Sequence, residues 1–323
     1  MKLGKLNWKT LMAAGAVLTA SLGPAAAQQV GIGTMAQGTN SYTVGAAIAT
    51  VLQANGVNAA PAPGTGETEI NALVNDNEVA LGIASILEVL NAYNGQGAFE
   101  GNPQTDMRVL AALAPLKVAL YVRADSDIFS IADLRGRRVT TEFTGLGAID
   151  LILQAVLANG GLTKDDVVPR PVANVAVGAD EFEAGNVDAF FFAAGTPRVQ
   201  QADAAVGGLR MLPLVDTPEA IAAMEAVFPA GELMVQPPTP AHRGFTDPTP
   251  LMAYDNILLV NATVPDDVVA QITQIIHDNR DALIAIFAGF NDFDPAAMYK
   301  PDLGVPYHPA AEAYYQSLPP ATP

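Results

Sequence analysis

Val30-Gly31-Ile32-Gly33-Thr34-Met35-Ala36-Gln37-Gly38-Thr39-Asn40-Ser41-Tyr42 carries the first decision about this fold. A short apolar run opens into a loop of Gly, Thr, Asn and Ser. Behind it Val44, Ala47, Ile48, Val51 and Leu52 recur at i, i+3, i+4, i+7 and i+8, one face of an amphipathic helix. Asn55-Gly56 ends that helix, because glycine accepts the left-handed turn that closes it. The unit is strand, polar glycine loop, helix. Unpaired N–H groups and a partial positive charge at the helix start suit an anion. The same residues also serve a plain turn.

The unit recurs 105 positions later: Ile149, Ile152, Leu153, Val156 and Leu157 repeat the apolar spacing, Thr144-Gly145-Leu146-Gly147 forms the loop and Asn159-Gly160-Gly161 the stop. Val79–Ile83 and Val187–Phe192 read as buried strands, each after a short helix. Two similar α/β halves predict an α/β protein with two lobes facing one ligand cleft.

Lys2, Lys5 and Lys9, the apolar Leu11–Leu22 and the small residues Ala25-Ala26-Ala27 read as an export signal cut after Ala27. Its loss leaves 296 of 323 residues, with 13 basic against 33 acidic side chains, a net charge of −20. That balance disfavours nucleic acid and anionic lipid as partners. There is no cysteine, so stability rests on the core, and half the residues are apolar. The mature chain is expected to be a periplasmic monomer.

Strand ends and loops supply further candidates. Ser85 follows Val79–Ile83 and either donates to a ligand or caps the next helix. Lys117, between apolar Leu116 and Val118, is either solvated or an ion-pair partner for a ligand carboxylate. Phe190–Pro197 ends a strand in small residues that permit close approach, and Tyr254 interrupts the strand Ala253–Val260. Ala59–Gly66, rich in Pro, Ala and Gly, and Pro229–Pro250 read as irregular loops, and Pro265–Ala288 as one long helix. Enzyme signatures are missing: His242, His277 and His308 lack metal-ligand spacing, and there is no nucleophile elbow or phosphate loop. No metal and no cofactor are expected.

Ile32-Gly33-Thr34 with Gly38-Thr39-x-x-Tyr42, Leu81-Gly82-Ile83 with Ala92-Tyr93-Asn94-Gly95, Asp133-Leu134-Arg135-Gly136-Arg137-Arg138-Val139, Asp188-Ala189-Phe190-Phe191 with Ala194-Gly195-x-Pro197, and His308-Pro309-x-Ala311 stand in one order along the chain. In these motifs it resembles the TAXI class of solute receptors that serve TRAP transporters. The resemblance implies a type II periplasmic-binding-protein fold, whose two hinged lobes close over a small organic anion or zwitterion. It also implies docking on a TRAP integral membrane permease subunit; the alternative partner is a membrane sensor kinase. The lobes are then residues 28–123 with 251–323, and 124–250. The residues expected to bind the ligand are Gly38, Thr39, Ser41, Tyr42, Ser85, Lys117, Thr144, Gly145, Phe192, Ala193 and Tyr254. Met35-Ala36-Gln37, Ser85-Ile86-Leu87, Phe143–Ala148 and Thr196 depart from the family's polar pattern, so a less polar ligand, or one held by few anchors such as Lys117, fits this chain.

Overall fold

The computed structural model describes residues 29–319 apart from 145 and 147. The expected leader, 1–27, and the site glycine Gly145 lie outside the described residues. Five strands form the first sheet: β1 (Val30–Thr34), β2 (Ala59–Pro63), β3 (Leu81–Ser85), β4 (Met107–Ala112) and β12 (Asn256–Asn261), in the order β2-β1-β3-β12-β4. Seven form the second: β5 (Leu116–Arg123), β6 (Arg138–Thr141), β7 (Val168–Pro171), β8 (Ala189–Ala193), β9 (Leu209–Leu212), β10 (Glu232–Gln236) and β11 (Thr249–Tyr254), in the order β10-β11-β5-β8-β6-β7 with β9 also on β5. The helices are α1 (Asn40–Ala54), α2 (Glu67–Asn75), α3 (Ile86–Asn94), α4 (Ile149–Asn159), α5 (Val175–Glu183), α6 (Pro197–Val206), α7 (Pro218–Val227), α8 (Asp266–Asp278), α9 (Arg280–Ile286) and α10 (Pro309–Ser317).

Each sheet has its own apolar core. In the first, β1, β2 and β3 run parallel and β12 pairs antiparallel with both β3 and β4. Every residue of β3 and of β12 is buried, as expected of central strands covered on both faces. Met35 packs against both cores, and Leu87, from α3, reaches the second. The apolar residue at 87 therefore seals one lobe against the other.

The chain crosses between sheets at 113–115 and again at Asp255, and the crossings lie side by side, with Leu113 N–H donating to Asn256 O at 2.8 Å. These paired crossings join two lobes, the architecture expected of a periplasmic-binding-protein fold. Residues 116–123 and 251–254, assigned from the sequence to the first lobe, pair within the second sheet. Asp255, at the crossing, is tied by Lys300 Nζ at 2.5 Å.

Three sequence expectations are corrected. The stretch at 59–63, read as the start of a Pro/Ala/Gly loop, is the edge strand β2, where Pro61 and Pro63 remove no needed ladder bond. The 229–250 loop contains β10, an edge strand on β11. The long helix breaks at Asn279 (φ −116, ψ 32), whose side-chain amide caps back onto Ile275 O at 2.8 Å.

Candidate functional site

β1, β3 and β8 all deliver their carboxyl ends to the space between the lobes. Thr39 is the N-cap of α1: its Oγ1 accepts from Tyr42 N–H at 3.3 Å and donates to Ala36 O at 2.7 Å. Ser41 Oγ accepts from Met35 N–H at 3.2 Å and donates to Ile83 O at 3.4 Å. Both hydroxyls thus hold the loop together. With Asn40, Phe192, Ala193 and Tyr254 they line an interlobe cavity of about 30 Å³.

Strand alternation divides the site. Leu116 and Val118 line this cavity, and Tyr254 pairs with Leu116 in the ladder and shares its face. Lys117 points the other way, into a second interlobe cavity of about 200 Å³ bounded by Gln236, His242 and Asp292. Its ammonium is already held, donating to Gln236 Oε1 at 2.6 Å and pairing with Asp292, which lies on the short turn Ala288–Asp292 after α9. The lysine is buried and latches the second sheet to the C-terminal part of the chain. His242 shares that cavity with its Nδ1 2.7 Å from Thr239 Oγ1; burial first, then the Lys117 charge, holds its pKa below the ordinary histidine value.

Two acids sit where the sequence reading expected neutral donors. Glu67 opens α2, and Glu67, Ile70, Asn71 and Val74 are the buried face of that helix. Its Oε2 accepts from the amide and the hydroxyl of Ser85 at 3.1 and 2.6 Å. Burial outweighs these bonds and, with neighbouring Glu88, pushes the Glu67 pKa up to about 7. Glu88 lies one turn into α3; Thr68 Oγ1 donates to it at 2.5 Å and the backbone amide of Ala148 also reaches it. Burial raises its pKa as well. The N-terminus of α4, expected to receive a ligand carboxylate, thus meets a carboxyl group from the opposite lobe.

Of the predicted residues, Thr39, Ser41, Phe192, Ala193 and Tyr254 meet on one cavity. Ser85 stands behind it, bonded to Glu67 and capping α3. Gly38 and Tyr42 lie on an outer groove beside Pro197 and Arg198; Gly38, at φ +91, offers its carbonyl to Arg198 N–H at 3.3 Å. Thr144 is exposed, and its amide donates to Val172 O at 3.2 Å. Glu67, Glu88, Asn40 and Asn256 were missed. The signal for both acids was present: each occupies an apolar-face position, Glu67 with Ile70 and Val74, Glu88 with Val89 and Ala92.

The model of a family described as NMT1-like matches residues 32–317. Among solved structures, the binding protein component of an ABC phosphonate transporter from Pseudomonas aeruginosa superimposes with a TM-score of 0.54 at 9% identity, covering 85% of this chain and 83% of that one. A periplasmic transporter gives 0.53 at 15% identity over 89% and 94% of the two chains. PhnD1 from Prochlorococcus marinus in complex with methylphosphonate gives 0.52 at 10% identity over 81% and 90%. At such identities the likeness shows the two-lobed fold. With the family model spanning nearly all the described residues, this chain belongs to the NMT1-like family.

Proposed function

We propose that this protein is an exported solute receptor that captures a small organic solute between its lobes and hands it to a membrane transporter. One observation carries the reading: a buried cavity walled by both sheets, with α1 starting at its edge and the hinge strands β5 and β11 as its floor. Ligands of open α/β sheets bind beyond the carboxyl ends of the strands, and that is where this cavity lies. The family membership and the shared fold support it. Among the described residues no helix is long and apolar enough to cross a membrane.

The TAXI-like motifs favour a TRAP-type permease as the partner. A solute with a carboxylate was expected from the helix N-termini and Lys117. With Asp292 on Lys117 and Glu88 at α4, a zwitterion suits the cleft better than a simple acid.

Thermal-shift and calorimetric screening of the mature chain against organic acids, zwitterions and amines tests the receptor. At least one solute is expected to raise Tm and to shrink the particle in small-angle scattering, because a ligand of the closed form stabilises it by mass action. A library that changes neither Tm nor radius defeats the reading. Uptake in vesicles that needs this protein, a permease and an ion gradient supports the TRAP assignment; uptake driven by ATP hydrolysis removes it.

A further inference from the structure

Two side chains on the cleft cavity carry hydrogen-bonding capacity that the protein leaves unused. Tyr254 is 2% exposed, and its hydroxyl has no partner among the described residues. Glu67 is 4% exposed, and its hydrogen bonds within the described residues all converge on Oε2. The two line the same cavity, and the Glu67 charge acts on the Tyr254 hydroxyl. A buried polar group without a partner is costly and uncommon in folded proteins.

Charge around the cavity points one way. Glu88 faces Glu67 from α3 and Tyr254 faces it from β11. The groups bonding the two carboxyls are Ser85, Thr68, the Asn91 side chain and the amide of Ala148, all neutral. Lys117 is on the opposite face of β5 and spoken for by Asp292. Leu116, Val118 and Phe192 keep the walls apolar, so attraction to a positive group is weakly screened.

We propose that Glu67 and Tyr254 form the head-group subsite of this receptor and take a primary ammonium of the solute; this deepens the receptor reading and rests on it. One ammonium hydrogen goes to the free oxygen of Glu67 and one to the Tyr254 oxygen. A third meets Asn40 Oδ1, which accepts from Asn256 Nδ2 at 3.4 Å and has a second lone pair. The space, about 30 Å³, admits a head of one or two heavy atoms and excludes a trimethylammonium group.

The test is calorimetry on the mature chain with short carbon skeletons, each presented as primary amine, trimethylammonium and carboxylate, zwitterions included. Primary ammonium members are expected to bind. Their affinity should rise about tenfold from pH 6 to pH 8 as the Glu67 carboxyl, with a pKa of about 7, loses its proton. Glu67→Gln should weaken them at least tenfold and flatten that pH profile, Glu88 being retained. Tyr254→Phe, which removes only the unpartnered hydroxyl, should weaken them severalfold and keeps the test decisive if E67Q does not fold. Unchanged affinity in both variants, or preference for carboxylates with affinity falling from pH 6 to pH 8, overturns the subsite and leaves the receptor standing. Absence of any binding, here and in the broader library, removes the receptor reading and the subsite with it.

Discussion

The N-termini of α1 and α4 share one sequence pattern and are finished in different ways. Thr39 caps α1 directly, and the helix begins at Asn40. Its counterpart 105 residues on, Thr144, is exposed, and α4 begins only at Ile149, four residues later than that offset predicts. The residue before α4 is Ala148, which has no side chain able to cap. Two acids stand in. Asp150, at the place of Gly45, accepts from Glu142 N–H at 2.7 Å and ties the loop; Glu88 from the opposite lobe meets the Ala148 amide. Gly45 has no such freedom, since a Cβ there would lie 2.4 Å from Thr34 Cγ2. A helix pressed against its strand is capped from within; one standing off it recruits a cap from elsewhere. Each lobe therefore meets the interface differently, α1 with its hydroxyls used up locally, α4 with a donor left for its neighbour.

The largest expected effect is on pH dependence. Glu67 titrates near 4.5 when unfolded and near 7 when folded, so between those values the folded state binds more protons and stability falls as pH rises. The full loss is about 3 kcal/mol once pH exceeds the folded pKa. Urea denaturation at pH 4.5 and 7.5 should show the wild type losing about that much more stability than Glu67→Gln, because the carboxyls held low, Glu69, Asp133, Asp166 and Asp188, act in the opposite direction and alike in both. Parallel declines would mean Glu67 is not buried as an acid beside α1. Next comes Glu88→Ala, which leaves the Thr68 hydroxyl and the Ala148 amide without an acceptor. It should cost about 2 kcal/mol in chemical denaturation; a neutral result would return the α4 terminus to the ligand. The smallest effect sharpens the contrast itself. Thr39→Ala should cost about 0.5–1 kcal/mol, the lower part of the capping range because its bond is 3.3 Å long. Thr144→Ala should stay within about 0.5 kcal/mol. Equal losses would mean that the two loops work alike after all.

Most of the fold was legible in the chain. The repeated apolar spacing located α1 and α4, and unbroken apolar runs located β3 and β8. Misreadings clustered at proline: β2 contains Pro61 and Pro63, and β10 ends against Pro237. Proline ordinarily argues against a strand, and only the finished sheet shows which strands are edges. The site was half legible. Thr39, Ser41, Phe192, Ala193 and Tyr254, expected at the ligand, come together on the candidate cavity because strand and helix ends are readable from periodicity. Glu67 and Glu88 were passed over because acids are common in first helical turns, where solvent usually receives them.

Residue order alone determined two α/β units, their strand ends and the loops that follow them. Tertiary structure alone decided which polar groups in those loops remain free. Lys117 was a plausible anchor for an acid until the fold brought Asp292, 175 residues distant, onto its ammonium. Glu67 became a strong candidate once Tyr254 closed over the same cavity. Helix and strand patterns repeat within a few residues and so are written locally. The charge state and free valences of a buried group depend on desolvation and on partners that folding delivers from anywhere in the chain.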